Sequence, residues 1–186
     1  MSKLIYIANI SVDGYIEDSD GNFDWTTPTD EAFAFVTDLV RASGTYLYGR
    51  RMYETMAVWE TDPALAAQSE LRTEFAHVWQ AANKVVYSTT LPEVSTAQTR
   101  LERTFDPDAI RDLKASAAED LTVGGPNLAA HAFRAGLVDE CHLFIGPVFL
   151  GAGKSSLPHD TRADLELLDE RRFGNGVVYV RYRVAS

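Results

Sequence analysis

Two glycine-bearing junctions, a pair of arginines and a few acids are the residues of this chain whose types and spacing could do chemistry. Val123-Gly124-Gly125-Pro126-Asn127-Leu128 sets two glycines between a strand-like and a helix-like segment. Such a turn lets backbone N–H groups approach a phosphate and aims a helix N-terminus at it. The same residues would serve as a tight strand-to-helix connection, and they do not make a G-x-G-x-x-G fingerprint. Leu47-Tyr48-Gly49-Arg50-Arg51-Met52 is a second strand-end glycine, followed by guanidinium groups suited to an anion such as the 2′-phosphate that separates NADPH from NADH. An arginine pair can equally be solvated surface. Asp13-Gly14-Tyr15-Ile16 and Asp24-Trp25 flank a long polar loop of the kind that often forms a lid or binding element. Asp30 lies where a helix begins, and an acid there has a complete structural role as a cap that suits the helix dipole. Nucleophilic catalysis finds little footing: no G-x-S-x-G elbow exists, and Cys141 sits in an apolar strand with His142 facing the other way.

The elements that must position these residues alternate. Lys3 to Ile10 reads as a buried strand. Thr27-Pro28-Thr29-Asp30 reads as a helix start, with Thr27 as N-cap, Pro28 first in the helix and Asp30 at the third position. That helix runs to about Ser43, with Gly44 as its stop and Ala32, Phe35, Val36, Leu39 and Val40 as its buried stripe, off which Asp30, Phe33, Ala34 and Thr37 point. Thr45 to Tyr48 is a second strand. Asp62-Pro63 opens a helix whose apolar face carries Leu71, Phe75, Val78, Trp79 and Ala82, and Lys84 to Ser88 is the next strand. A weaker strand follows at Arg100 to Phe105, then a helix from Asp106-Pro107 to about Ala118, a strand ending at Val123, a helix from Pro126 to Ala135 and a strand from Glu140 to Ile145. Leu165 to Phe173 and Val177 to Val184, separated by Gly174-Asn175-Gly176, read as a hairpin. The pattern predicts an α/β fold with an antiparallel hairpin at one edge, in a single domain spanning residues 1–186.

Composition narrows the partners. The chain has 186 residues, 46% hydrophobic and 24% charged, close to the average for a globular domain. Seventeen Lys and Arg against 27 Asp and Glu give a formal charge of −10, which argues against a surface that tracks nucleic acid. Cys141 is alone, and His77, His131, His142 and His159 are scattered, so neither an internal disulfide nor a metal cluster is expected. No apolar run approaches the ~20 residues that span a bilayer. Met1 leads into Leu4-Ile5-Tyr6-Ile7-Ala8 without the apolar segment and cleavage site of a signal peptide, so a cytoplasmic location is expected.

Taken in order, Ile7-Ala8-Asn9-Ile10-Ser11-Val12-Asp13-Gly14-Tyr15-Ile16, Trp25, Gly49-Arg50-Arg51-Met52-Tyr53-Glu54, Val86-Tyr87-Ser88-Thr89-Thr90-Leu91, Val123 to Leu128, Gly136-Leu137-Val138-Asp139-Glu140 and Pro147 to Gly153 resemble the dihydrofolate-reductase-like superfamily. Within it they are similar to the reductase domain of bifunctional riboflavin-biosynthesis enzymes. The resemblance implies a central, mostly parallel sheet with an antiparallel C-terminal strand and helices on both faces. It implies NADPH bound in extended form across the strand ends. Ala8, Gly14, Tyr15 and Ile16 would lie against the nicotinamide, and Gly49, Arg50, Arg51 and Met52 would hold the adenosine-side phosphates. Ser88 and Thr89 would flank the adenine ribose, and Gly124, Gly125, Pro126, Asn127 and Leu128 would clasp the pyrophosphate, with the Gly-Gly peptide typically cis in the family. The Asp24 to Asp30 stretch resembles the segment of dihydrofolate reductases in which a tryptophan precedes the active-site acid. By that likeness Asp30 would be the catalytic acid, and Trp25, Asp30 and Phe33 would meet the substrate.

The implied activity is NADPH-dependent hydride transfer to a small pteridine- or pyrimidine-type substrate, nearest to 5-amino-6-(5-phosphoribosylamino)uracil reduction. Dihydrofolate reduction and a non-catalytic NADPH-binding homodimer are the alternatives. Family members are commonly homodimers, and the apolar hairpin residues Val177, Val178, Val180 and Val184 are available for such an interface or for the chain's own core. Three positions depart from the family: Met52 stands where Thr is common, Ser88-Thr89-Thr90 where Ser-Arg-Thr is frequent, and Leu157-Pro158-His159 where an apolar pair usually follows. A preference for NADPH would then rest mainly on Arg50 and Arg51. The H-x-E and P-C-x-x-C ligands of the zinc deaminase that such reductases generally carry are absent, so a stand-alone reductase module is expected.

Overall fold

Six parallel β-strands make the body of one sheet; five of them carry a largely buried run between helix layers, and the sixth is a short, polar edge strand. The computed structural model describes residues 1–185. In chain order the strands are β1 (Leu4–Ile10), β2 (Tyr15–Glu17), β3 (Ser43–Gly49), β4 (Asn83–Tyr87), β5 (Thr99–Glu102), β6 (Asp120–Gly124), β7 (Glu140–Ile145), β8 (Lys154–Ser155), β9 (Leu165–Arg172) and β10 (Val178–Val184). The helices are α1 (Asp30–Arg41), α2 (Arg50–Met56), α3 (Val58–Thr61), α4 (Pro63–Ala66), α5 (Glu70–Ala81), α6 (Pro107–Ser116) and α7 (Pro126–Arg134). Eight strands form a sheet in the order β5-β4-β3-β6-β1-β7-β10-β9. The first six are parallel, and β10 and β9 run antiparallel at the far edge. The expected architecture is therefore the observed one. The short strands β2 and β8 pair separately.

Side-chain alternation sends each strand's neighbours to opposite faces. On one face Leu4, Tyr6, Leu47, Leu121 and Val123 meet Leu128, Ala129, Ala132 and Phe133 of α7. On the other, Tyr46, Tyr48 and Val86 pack with Phe75 and Trp79 of α5, and Phe144 and Tyr179 pack with Phe35 of α1 and Phe173. α1 is wedged between these last two clusters. Its expected stripe is inward, but so are two residues assigned to the opposite side: Phe33 packs at a tilt on Phe75 with 5.3 Å between centroids, and Thr37 is buried.

Two buried lysines close helix ends or loops instead of lining a site. Lys84 Nζ donates to the carbonyls of Trp79 (3.1 Å) and Ala82 (2.9 Å) at the C-terminus of α5 and lies 4.3 Å from the Trp79 ring centroid. Lys114 Nζ reaches Leu137 O at 2.9 Å and Asp139 at 2.6 Å. A buried carboxylate joins β1, β7 and β10: Glu140 accepts from Arg181 (2.8 and 3.1 Å), Lys3 (2.8 Å) and His142 Nε2 (3.1 Å), while His142 Nδ1 meets the Tyr179 hydroxyl at 3.0 Å. Burial pushes the Glu140 carboxyl up, but these hydrogen bonds overcome it and hold its pKa down at about 2. Burial lowers the His142 pKa despite the neighbouring carboxylate, which keeps its ring neutral.

Several boundaries differ from those the sequence predicts; α1 ends at Arg41 and not near Ser43, and Gly44 lies inside β3 instead of stopping the helix. Thr27 does not cap α1. Asp24–Thr26 form a 3-10 turn, and the Thr26 and Thr27 hydroxyls close it on Phe23 O and Asp24 O (2.7 and 2.9 Å), so the cap passes to Thr29, whose Oγ1 accepts from Ala32 N at 3.3 Å. Asp30 is thus the first residue of the helix and not its third. β3 begins at Ser43 rather than Thr45, and Arg50 and Arg51 open a helix instead of ending a strand. The segment after Asp62-Pro63 breaks into α4 and α5 because Ser69 provides a new cap, its Oγ accepting from Arg72 N at 3.2 Å. No described peptide bond is cis, so Gly124-Gly125 is trans, with the turn made by a Gly125 φ of +94°.

Candidate active site

Parallel strands deliver their C-terminal ends to one edge of the sheet, and open α/β sheets bind ligands there. The interruption of sequence order at β3-β6-β1 places the ends of three strands from different parts of the chain side by side. Gly49 ends β3 and the Gly124-Gly125 pair ends the adjacent β6, with Tyr48 in register with Gly124. The two turns touch. A methyl on Gly124 would sit 3.1 Å from the Tyr48 ring and Met52 Cγ, and one on Gly125 would sit 3.6 Å from Met52 Cβ and 3.8 Å from Gly49 N. Met52, where a threonine was expected from the family, therefore packs over the glycine pair.

Gly49 precedes α2 and Gly125 precedes α7, and neither helix has a side-chain cap. The first N–H groups of each helix consequently lack an intrahelical or capping acceptor. At α7, Pro126 has no N–H to offer, which leaves Asn127 and Leu128 as donors. This cradle fits the phosphate of a dinucleotide on an observation of the chain itself: two closely apposed, glycine-lined turns that open helices with no side-chain cap among the described residues.

The second half of the site is the Ser11–Asn22 segment. Ser11, fully buried at the end of β1, donates its hydroxyl to Asp13 (2.6 Å) and accepts from Tyr15 N (2.9 Å). Asp13 also accepts from Leu150 N (3.0 Å) and Gly151 N (2.7 Å). The Ser11 hydroxyl and these amides hold its carboxyl below the usual carboxylate range. Gly14 O accepts from Ser156 N and Oγ at 2.9 and 2.8 Å. Gly14 and β2 are thus tied to the chain that follows β7, and Ile16 and Ala8 of β1 are both partly buried against the same core cluster.

Trp25 lies across the ends of β1 and β7, its ring carbons 3.3 Å from where a Gly146 Cβ would stand. Its indole N–H is buried with no partner among the described residues, so it is available to an acceptor on a bound molecule. Five residues on, Asp30 is exposed and has no hydrogen-bond or ion-pair partner among the described residues, whereas the neighbouring Glu31 is taken by Arg171 at 2.8 Å. Phe33 is engaged elsewhere, between Trp59 and Phe75. Cys141 is 2% exposed, and burial pushes its thiol up to about 12, which makes it an inert core residue.

At the end of β4 the Ser88 hydroxyl accepts from Thr90 N and Leu91 N, so its oxygen is used by the turn, while Thr89 is exposed. Two arginines flank this turn. Arg50 donates to Thr90 Oγ1 (3.0 Å) and Glu54 (2.8 Å). Arg103, which sequence reasoning missed, reaches from beyond β5 to Ser88 O (3.0 Å) and Leu91 O (2.6 Å). It brings a guanidinium to the turn in which Thr89 replaces the family's arginine.

The comparisons bear on this geometry. The family model described as the RibD C-terminal domain matches residues 2–179. The chain belongs to the RibD C-terminal domain family. A relative in Bacillus subtilis (strain 168), the uncharacterized protein YyaP, is 28% identical over 182 residues, which cover 97% of this chain and 94% of that protein. A putative riboflavin biosynthesis protein from Shewanella sp. PV-4 superposes with a TM-score of 0.76 at 20% identity, over 99% of each chain. The bifunctional diaminohydroxyphosphoribosylaminopyrimidine deaminase/5-amino-6-(5-phosphoribosylamino)uracil reductase of Thermotoga maritima superposes with a TM-score of 0.64 at 14% identity, over 99% of this chain and 57% of that one. The fold described above is the dihydrofolate-reductase-like fold of these RibD proteins. Among the described residues no helix is long and apolar enough to cross a membrane.

Proposed function

We propose that this chain is an NADPH-dependent reductase of a small pyrimidine-type heterocycle, nearest in chemistry to the reduction of 5-amino-6-(5-phosphoribosylamino)uracil. The observation that carries the reading is the apposition of the Gly49 and Gly124-Gly125 turns, which open helices with no side-chain cap, at adjacent strand ends. Family membership and the Asp13-pinned loop after β1 support it. When bound, NADPH supplies a hydride. The chain's residues do the rest. Asn127 and Leu128 N–H groups hold pyrophosphate, and Gly14 to Ile16 cover the reacting end. Trp25 Nε1 donates to an acceptor on the substrate, and Asp30 hydrogen-bonds the substrate and delivers a proton to the atom that gains charge.

The test is nucleotide binding followed by turnover. The purified protein is expected to bind NADPH in a titration and to oxidise it when the ribosylamino-uracil is added, but not when dihydrofolate is. Asp30→Asn is expected to lower kcat by about 10²- to 10⁴-fold with NADPH binding unchanged. Full activity in that variant would remove Asp30 from the mechanism, and failure to bind NADPH would remove the cofactor.

The same reading takes the protein as a cytoplasmic homodimer. The register of β9 and β10 aligns Leu165 with Val184 and Leu167 with Tyr182. Leu165, Leu167 and Val178 remain 44%, 49% and 39% exposed there, a surface suited to a second copy.

A further inference from the structure

The Arg50-Arg51 pair looks uniform in sequence, yet the two side chains meet unlike partners. Arg50 is paired with the exposed Glu54 one helical turn on, and its other contact is the hydroxyl of Thr90 at the rim of the ribose turn. Both contacts are solvent-facing and easily exchanged for a phosphate. Arg51 crosses to the Ser11–Asn22 segment. Its Nη1 donates to Glu17 Oε1 at 2.8 Å and its Nη2 to Gly21 O at 3.2 Å. Glu17 is the last residue of β2, its side chain is only 11% exposed, and Arg51 is its only side-chain partner among the described residues. Taking Arg51 away would leave a largely buried carboxylate without a cation, a penalty well above that of breaking an exposed pair. Gly21 belongs to a preformed turn in which Asp18 accepts from Asp20 N and Asn22 N at 2.9 and 2.8 Å. One guanidinium thus grips both legs of the loop.

We infer that Arg51 is a positioning residue and not a phosphate ligand: with Glu17 it clasps the Tyr15–Gly21 lid to the α2 end of the site, leaving Arg50 alone on that helix to read the 2′-phosphate. Asp13, on Leu150 N and Gly151 N, fastens the other end of the same lid. The assignment deepens the NADPH reading and rests on it for Arg50. The clasp itself stands on the side-chain geometry.

Glu17→Gln separates the two roles because they predict opposite signs. If Arg51 were a phosphate ligand restrained by Glu17, neutralising Glu17 would free it and tighten NADPH over NADH. As a clasp, Glu17→Gln and Arg51→Ala both weaken NADPH and NADH by a common factor, about three- to tenfold for loss of a charge-assisted hydrogen bond. The Glu17→Gln/Arg51→Ala double variant is then no weaker than the worse single one. Arg50→Ala weakens NADPH by about tenfold or more, equivalent to about 1.4 kcal/mol, with NADH little changed. Dissociation constants come from fluorescence titration of the intact protein with each nucleotide. Lid order is read separately, by the rate of cleavage before Asp18 and Asp20 with an Asp-specific endoproteinase. Cleavage is expected to accelerate in the three clasp variants and not in Arg50→Ala. Selective tightening of NADPH by Glu17→Gln, selective loss of NADPH in Arg51→Ala, or unchanged cleavage would overturn the clasp. If the wild type binds neither nucleotide, the cofactor reading and the role given to Arg50 fail together, while the cleavage comparison still decides Arg51.

Discussion

Gly125→Ala is the sharpest perturbation of the phosphate cradle, because its effects on stability and on binding separate cleanly. Gly125 holds φ +94° and ψ 126°, outside the left-handed basin that an L-residue can enter. Forcing alanine there costs about 1–3 kcal/mol of strain, which for a chain of this size lowers Tm by about 2–12 °C. The added methyl has room, at 3.6 Å from Met52 Cβ and 3.8 Å from Gly49 N, so the strain comes from the backbone and not from collision. Relief would come by rotating the 124–125 peptide, which re-aims the start of α7. Losing one or two hydrogen bonds to phosphate, each about 1.5–3 kcal/mol for a charged acceptor, weakens NADPH by roughly ten- to a thousandfold or more. Gly136→Ala is the matched control. It sits at the other end of α7 with φ +64° and nothing within 4 Å of a new Cβ, so it should cost about 1–2 kcal/mol of stability, read as a lower Tm, and nothing in affinity. Thermal melts and NADPH titrations of both variants decide the matter. Equal loss of stability with equal, wild-type affinity in the two proteins would refute the assignment of the Gly124-Gly125 turn to phosphate.

Other perturbations probe other parts of the molecule. Glu140→Gln leaves Arg181, Lys3 and His142 without their buried anion and should cost about 3 kcal/mol, or about 6–12 °C in Tm by calorimetry. In the wild type, Glu140 has a folded pKa of about 2 against an ordinary 4.5, so its contribution is present above pH 4.5 and is lost as the pH falls toward 2. His142, lowered by burial, adds a loss of stability that begins as the pH drops below its ordinary 6.5; denaturant midpoints measured from pH 8 to 3 should fall through both windows, and the lower one should vanish in Glu140→Gln. Trp25→Phe keeps the packing on Gly146 but removes the unpartnered N–H, and should raise the substrate KM about two- to tenfold while leaving NADPH affinity alone. Leu167→Asp, at the uncovered face of β9, should halve the mass seen by light scattering without lowering Tm by more than a few degrees; an unchanged mass would exclude that face as the dimer contact.

What the sequence could and could not disclose follows from how local each signal is. Glu140 to Ile145 is found with its expected bounds because alternation and apolar content are local, and the terminal hairpin follows from Gly174-Asn175-Gly176 in the same way. The start of α1 was misplaced because Thr27 and Thr29 are both competent caps, and only the fold of Asp24–Thr26 commits the Thr27 hydroxyl to the earlier turn. The order of strands β3, β6 and β1 has no local signal at all, and it is what sets Gly49 against Gly124. The arginines make the point most directly. Arg50 and Arg51 are adjacent and chemically identical, and the nearby Glu54, which pairs with Arg50, says nothing of where Arg51 goes. Their difference comes from Glu17, 34 residues earlier, brought to Arg51 by the pairing of β2 with the segment after β7. Arg103 supplies a guanidinium beside Ser88 from just beyond β5, at a distance of fifteen residues that no motif spans. Residue type thus announced the chemistry of the site, whereas the division of labour within it was decided by which carboxylate the fold had already given to which cation. In a chain with net charge −10, that prior claim on each arginine determines which positive charge remains for an anionic cofactor.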